Sequence, residues 1–246
     1  MNLLDRLRVE NHRGVLVPRT LGFALAAGGA ASSLLVATVD DVEVSGWVAT
    51  ASAGLVFAAG LVDDLTPSGP RGLRGHLAAL ARGHVSTGVV KLFVVGAAAL
   101  LLVAAGPERG GDVRISGVIL IAGAANLWNG LDVRPARALK FSYPAFLAVG
   151  ASASALAPFV PGVAVAALLV LPWDAGERAM LGDAGANLLG FAVGTMAYHA
   201  LPNDAVWVVA LAVVLLTIAA ETVTLSRLIS VVPPLRWYDR LGRPPE

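Results

Sequence analysis

The feature that most constrains this chain is a series of apolar runs, each close to the length that crosses a bilayer. A helix needs roughly 20 apolar residues to span the hydrocarbon core. Eight runs approach that length, at about 20–39, 45–62, 86–105, 115–130, 143–158, 159–172, 184–201 and 204–222. They are rich in Ala and Leu and lack the alternation of a membrane barrel, so they predict helices, and strands are not expected. The expected fold is all-α: a polytopic integral membrane protein of about eight transmembrane helices, with residues 1–246 forming one domain. The fifth and sixth runs are short, and Pro158 and Pro161 sit between them, so residues 143–172 read as two spans or as one broken helix. Small residues recur inside the runs (GFALAAGGAAS, GAAALLLVAAG), which suits close helix packing in lipid.

Composition supports the same class. Hydrophobic residues make up 57% of the chain and charged residues 14%, against roughly 25% charged in a soluble domain. The net charge is +1 and cysteines are absent, so neither a basic nucleic-acid surface nor a cysteine-based metal site or disulfide is expected. The opening MNLLDRLRVENHRG is charged and unlike a signal peptide, so the first run reads as a retained span.

Placing the N-terminus inside puts sixteen of the eighteen Lys and Arg on the cytoplasmic side, all but Arg109 and Arg114. That bias predicts both termini in the cytoplasm. Residues 71–84 (RGLRGHLAALARGH) read as a helix lying on the cytoplasmic membrane surface, with His76 and His84 as interfacial or capping residues. Residues 223–246 read as a cytoplasmic tail. With this topology GLVDDL (60–65), NLWNGLD (126–132) and MLGDAGAN (180–187) all fall on the cytoplasmic face. Polar chemistry gathered on one face suits an interfacial enzyme better than a channel or a small-solute transporter.

Asp63 and Asp64 end an apolar run where the helix dipole disfavours carboxylates by a few tenths to about 1 kcal/mol. Two such charges about 5 Å apart also repel by about 3 kcal/mol at an effective dielectric near 20. A cation is needed nearby, and Mg²⁺, which takes carboxylates together with substrate phosphates, is a natural one; a solvated loop start is the plain alternative. Asn126 and Asn129 share a helical face ahead of Asp132, either as ligands or as a helix stop. Asp183 opens a span, as an ordinary N-cap or at a helix N-terminus that accepts an anion. Lys91 either snorkels or reaches a phosphate. Glu221 ends the last span as a site acid or a boundary charge.

Taken in order, GLVDDL, STGVVKL, NLWNGLD, MLGDAGANLLG and AETVTLS resemble one superfamily, the polyprenyl-phosphate N-acetylhexosamine-1-phosphate transferases, which include the phospho-N-acetylmuramoyl-pentapeptide transferases. The resemblance covers about residues 14–230. It implies an enzyme of a bacterial-type plasma membrane that moves a sugar 1-phosphate from a UDP-sugar to polyprenyl phosphate for cell-envelope synthesis, releasing UMP and requiring Mg²⁺. Carried over by motif, it implies Asp63, Asp64 and Asp183 as catalytic residues, Asp183 and Asp64 at the metal, and Lys91, Asn126, Asn129 and Asp132 at the substrates. A homodimer is compatible with it.

The chain departs from the family pattern in three ways. Asn129 stands where the family has Asp. No histidine follows His199, where the family has a histidine-rich cytoplasmic loop. The chain also reads as lacking the family's first and last spans. The alternative is a non-catalytic relative that binds a polyprenyl lipid or scaffolds an envelope assembly.

Overall fold

Seven of the apolar runs fold as helices close to their predicted positions, while the fifth, expected at about 143–158, meets a helix that begins at Arg137 and is described as far as Val149. The computed structural model describes residues 3–66, 69, 72–149, 156–222 and 225–243. In chain order it holds α1 (Leu3–Arg6), a hairpin of β1 (Arg8–Glu10) and β2 (Leu16–Pro18), then α2 (Leu21–Val39), α3 (Val44–Leu65), α4 (Gly72–Ala81), α5 (Thr87–Ala105), α6 (Gly111–Leu131), α7 (Arg137–Val149), α8 (Val160–Ala175), α9 (Gly182–Ala200), α10 (Asn203–Thr222), α11 (Leu225–Val231) and α12 (Pro233–Arg240).

Four of these helices, α2, α3, α5 and α10, are long and apolar enough to cross a membrane. Large apolar side chains stand on their outer faces, among them Leu34, Leu35, Phe93, Val208, Leu211 and Ile218. An apolar exterior of this kind fits a lipid surround.

The hairpin is a correction to the expectation of no strands. Asn11 makes the turn, its Oδ1 accepting from the N–H groups of Arg13 and Val15 at 2.9 and 3.0 Å. Gly14 supplies the left-handed residue at φ 74°. The strands then pair in antiparallel register, Val9 opposite Val17. Beyond the hairpin, α7 and α8 are separate helices, and residues 150–155, inside the fifth predicted span, lie outside the described residues. So do residues 223, 224 and 244–246 of the predicted tail, and the side chains of Arg71, Leu73, Arg74, Leu77 and Glu221.

Helix α9 lies at the centre, packed against α2, α3, α6, α7 and α8. Gly182 and every residue from Ala184 to Tyr198 are buried, and the glycines and alanines of α9 let neighbouring helices approach closely. Close approach elsewhere is set by glycine pairs. A Cβ built on Gly162 would lie 1.9 Å from the carbonyl oxygen of Gly28, so α2 and α8 touch backbone to backbone there.

The tail is docked by charge. Arg137 of α7 grips Asp239 of α12 through two bonds, Nε to Oδ1 at 2.8 Å and Nη2 to Oδ2 at 2.9 Å. Arg243 donates to Asp239 as well, at 2.5 Å, and to the Pro135 carbonyl at 2.8 Å. Lys140 donates to the carbonyls of Asp239 and Leu241, and the Tyr238 hydroxyl donates to the Lys140 carbonyl at 2.7 Å. Burial alone would raise the Asp239 carboxyl, but the hydrogen bonds and charges of Arg137 and Arg243 outweigh it and hold the group below the usual range. A depressed carboxyl contributes stability above its unfolded value near 4 and loses it as pH falls through the lower folded one. Docking is therefore expected to hold constant from about pH 7 down to about 5 and to weaken only below about 4. Trp237, which is exposed, reports this by its fluorescence. Asp239→Asn is expected to release the tail already at neutral pH, seen as faster tryptic cleavage at Arg240; cleavage as slow as in the parent chain would contradict the assignment.

Candidate active site

The two neighbouring carboxylates of GLVDDL have different jobs. Helix α3 continues to Leu65, so both sit in its last turn. Consecutive helical residues point about 100° apart, which sends Asp63 toward α5 and Asp64 toward α9.

Asp64 is 2% exposed. Its Oδ1 accepts from Arg19 Nη1 and from the Asp183 N–H, both at 3.0 Å, and its Oδ2 accepts from the Ala184 N–H at 2.9 Å. Arg19 also donates to the Asp64 carbonyl at 2.7 Å. The first N–H groups of a helix have no partner within it, and here a carboxylate from another helix supplies one. Gly182 is required at this junction. Its φ is 68°, and a Cβ there would lie 2.7 Å from Asp64 Oδ2.

Asp63 faces the other way. Its Oδ1 accepts from the Thr87 hydroxyl at 2.5 Å and its Oδ2 from Lys91 Nζ at 2.6 Å. The same ammonium donates to Asp183 Oδ2. Lys91 is therefore a buried bridge between the two carboxylates, with its side chain 9% exposed. The Asp183 side chain is the open member, 36% exposed. Asn187 fixes the turn below it, donating to the Asp183 carbonyl at 2.7 Å. Ser86 caps α5 just ahead of this cluster and is held in turn by His76 at 2.8 Å.

The structure thus brings Asp63, Lys91 and Asp183 together. It places Asp64 beside them, with about three of the four acceptor positions of a carboxylate engaged. Asp132 caps the C-terminal end of α6, and its nearest electrostatic neighbours include Asp174, Asp183 and Asp64. Asn126 and Asn129 occupy the last turns of α6, partly buried, and no hydrogen bond ties them to the cluster among the described residues. Of the tail arginines, Arg243 is committed to Asp239, while Arg227, Arg236 and Arg240 are exposed.

Two residues escaped the sequence reading. Arg19 was legible only as a cytoplasmic charge, although a lone arginine directly before a span (VPRTLG) marks a place where a carboxylate is needed. A ladder explains its position: the Met180 N–H donates to the Pro18 carbonyl at 2.9 Å and the Leu21 N–H to the Met180 carbonyl at 3.1 Å. Thr87 lay in the quoted STGVVKL, one turn before Lys91.

An all-oxygen pair of carboxylates already converging on one cation is a hard donor set, and it fits a magnesium-type ion. Among the described residues no group of three or more His, Asp or Glu side chains is placed to hold a metal. Remaining positions on an ion at Asp63 and Asp183 would fall to water and phosphate oxygens, the usual magnesium arrangement. Comparison with family models, curated proteins and solved structures gives no match to this chain.

Proposed function

We propose that the protein transfers a sugar 1-phosphate from a UDP-N-acetylhexosamine-type donor to polyprenyl phosphate, yielding the polyprenyl-diphospho-sugar and UMP. The observation that carries this reading is the Lys91 ammonium held between Asp63 and Asp183 where α3, α5 and α9 converge. The order of the motifs that form it supports the same reading. In this proposal all eight apolar helices span the membrane, both termini are cytoplasmic, and the cluster opens at the cytoplasmic surface. A lipid-borne phosphate reaches it from the bilayer side and a soluble nucleotide from the water side.

Phosphoryl transfer depends chiefly on positioning and charge neutralisation. Lys91 offers a phosphate a fixed positive charge, and Asp63 and Thr87 hold that ammonium in place. Asp183, the open carboxylate, and Asp63 would hold a divalent ion, which supplies further neutralisation of diphosphate charge when bound. Asp64 and Arg19 fix the N-terminus of α9 and hence the position of Asp183. Asn129, which stands where the family pattern has Asp, keeps an oxygen donor without charge and motivates the second reading, a non-catalytic lipid-binding relative.

Purified protein in detergent, given undecaprenyl phosphate, Mg²⁺ and a panel of UDP-N-acetylhexosamines and UDP-muramoyl-pentapeptide, is expected to release UMP from one donor in a lipid-dependent manner. Folded protein that binds the lipid but releases no UMP from any donor would favour the second reading.

A further inference from the structure

The end of the bundle away from Asp183 carries a second group of polar side chains. Asp183 and His199 stand about 24 Å apart along α9. The last turn of α9 meets the end of α5 and the start of α6 there. A Cβ on Gly117 would lie 2.3 Å from Tyr198 Cε2, and one on Gly106 would lie 3.5 Å from His199 Cε1. Tyr198 is fully buried, and its hydroxyl has no hydrogen-bond partner among the described residues. Both ring nitrogens of His199 and the Nε of Arg114 are buried without a partner as well.

A buried polar atom left unpaired is rare without a reason, and these atoms share one place. Arg109 stacks on the Tyr198 ring, its Cζ 4.8 Å from the ring centre, and the His199 ring lies 5.3 Å from the same ring, edge-on. Arg109 and Arg114 are the charges that act on the Tyr198 hydroxyl, and Arg109 is the one that acts on His199. No carboxylate pairs with either arginine among the described residues. Asp112, close by in sequence, accepts from Trp207 instead, at 3.4 Å. Arg109 also caps α9 through the carbonyls of Leu201 and His199, at 3.3 and 3.4 Å, which uses fewer N–H groups than a guanidinium carries. The place is rich in donors and positive charge, and the described residues give it no anion.

Chemistry and depth select the ligand. The planar fork of a guanidinium matches the oxygens of a phosphate. Trp207, exposed near the start of α10, is an aromatic of the kind that marks the headgroup level of a membrane. Arg109 and Arg114 are also the two cations that the positive-inside bias leaves on the far side, against the trend of the chain. We propose that Arg109, Arg114, Tyr198 and His199 bind a phosphate group at this end of the bundle, carried by a lipid headgroup or by a free anion. The arginines supply the charge, and the Tyr198 hydroxyl donates to a phosphate oxygen. This site does not depend on the transferase reading.

The test is isothermal titration of the full-length protein in an uncharged detergent with two probes, dioctanoyl phosphatidylglycerol and inorganic phosphate. Dioctanoylglycerol, which has the chains and no phosphate, is the blank. Arg114→Gln and Tyr198→Phe are compared with the parent, each first shown to elute as the parent does. The parent is expected to bind a phosphate probe and not the blank. Binding of the lipid alone assigns a headgroup, and binding of inorganic phosphate as well assigns a free anion. Each variant is expected to bind about tenfold or more weakly, the loss of one hydrogen bond to a charged group. Tyr198→Phe separates binding from a structural role. It removes a hydroxyl that bonds nothing among the described residues, so its melting without ligand is expected at or above that of the parent while its phosphate affinity falls. Phosphate affinity unchanged in either variant, as when the probe sits only at Lys91, overturns the proposal. So does a parent that binds neither probe, or binds the blank equally well.

Discussion

Asp64→Ala is expected to damage the fold before it damages any chemistry. The change strands Arg19 and leaves the N–H groups of Asp183 and Ala184 without their acceptor. Breaking a buried ion pair from one side costs roughly 3–5 kcal/mol, and the lost helix cap lies within that total. Thermal unfolding followed by tryptophan fluorescence is expected to shift down sharply, with aggregation in detergent. Asp64→Asn keeps an acceptor oxygen and is expected to fall between the two. Parent-like melting of Asp64→Ala with abolished turnover would instead place Asp64 at the reacting groups.

Asp183→Asn is expected to do the reverse. Its side chain is largely free of the packing that holds α9, because the backbone N–H, not the carboxylate, binds Asp64. The substitution is close to isosteric at a partly open site. Lys91 loses one of its two carboxylate partners but keeps Asp63 and a neutral acceptor at 183, so melting is expected to fall by less than in Asp64→Ala, while UMP release falls roughly 10³-fold or more, the range lost when a charge that stabilises phosphoryl transfer is removed. Asp63→Asn is expected to share the loss of turnover, since it loosens Lys91 from the same side. Normal UMP release by both variants would remove this cluster from the reaction.

The contrast between these two aspartates shows where sequence reading reaches and where it stops. The helices were legible because an apolar run of bilayer length has few other folds open to it. The cluster was legible as a set of motifs, because Asp63 and Lys91 each sit at the helix end that disfavours their charge, and Asp183 opens a helix between two glycines. The division of labour within Asp63-Asp64 was not legible. It depends on how far α3 runs and how it is rotated against α5 and α9, which adjacent letters do not encode. The metal pairing expected from resemblance joined Asp183 with Asp64, whereas the geometry sets Asp183 facing Asp63 across Lys91. The central place of α9 was also hidden. Its Gly and Ala content reads as a mediocre span, and only packing on every side turns smallness into a requirement. The hairpin was missed for a simpler reason: NHRG between Val9 and Val15 is a usable turn signal, overshadowed by the longer runs that follow.

The clasp formed by Arg19, Asp64 and the start of α9 has a consequence for biogenesis. Asp64 and the Asp183 N–H that binds it are 119 residues apart. A chain made from its N-terminus exposes the carboxylate long before that amide exists. Until then Arg19 is the partner already present, and it is supplied by the same early segment. The last piece to arrive completes both the helix start and the cluster that Lys91 bridges, so a chain that stops short of α9 leaves Asp64 with Arg19 alone of its three side-chain donors. The contacts that form last are thus the ones that fix where Asp183 stands.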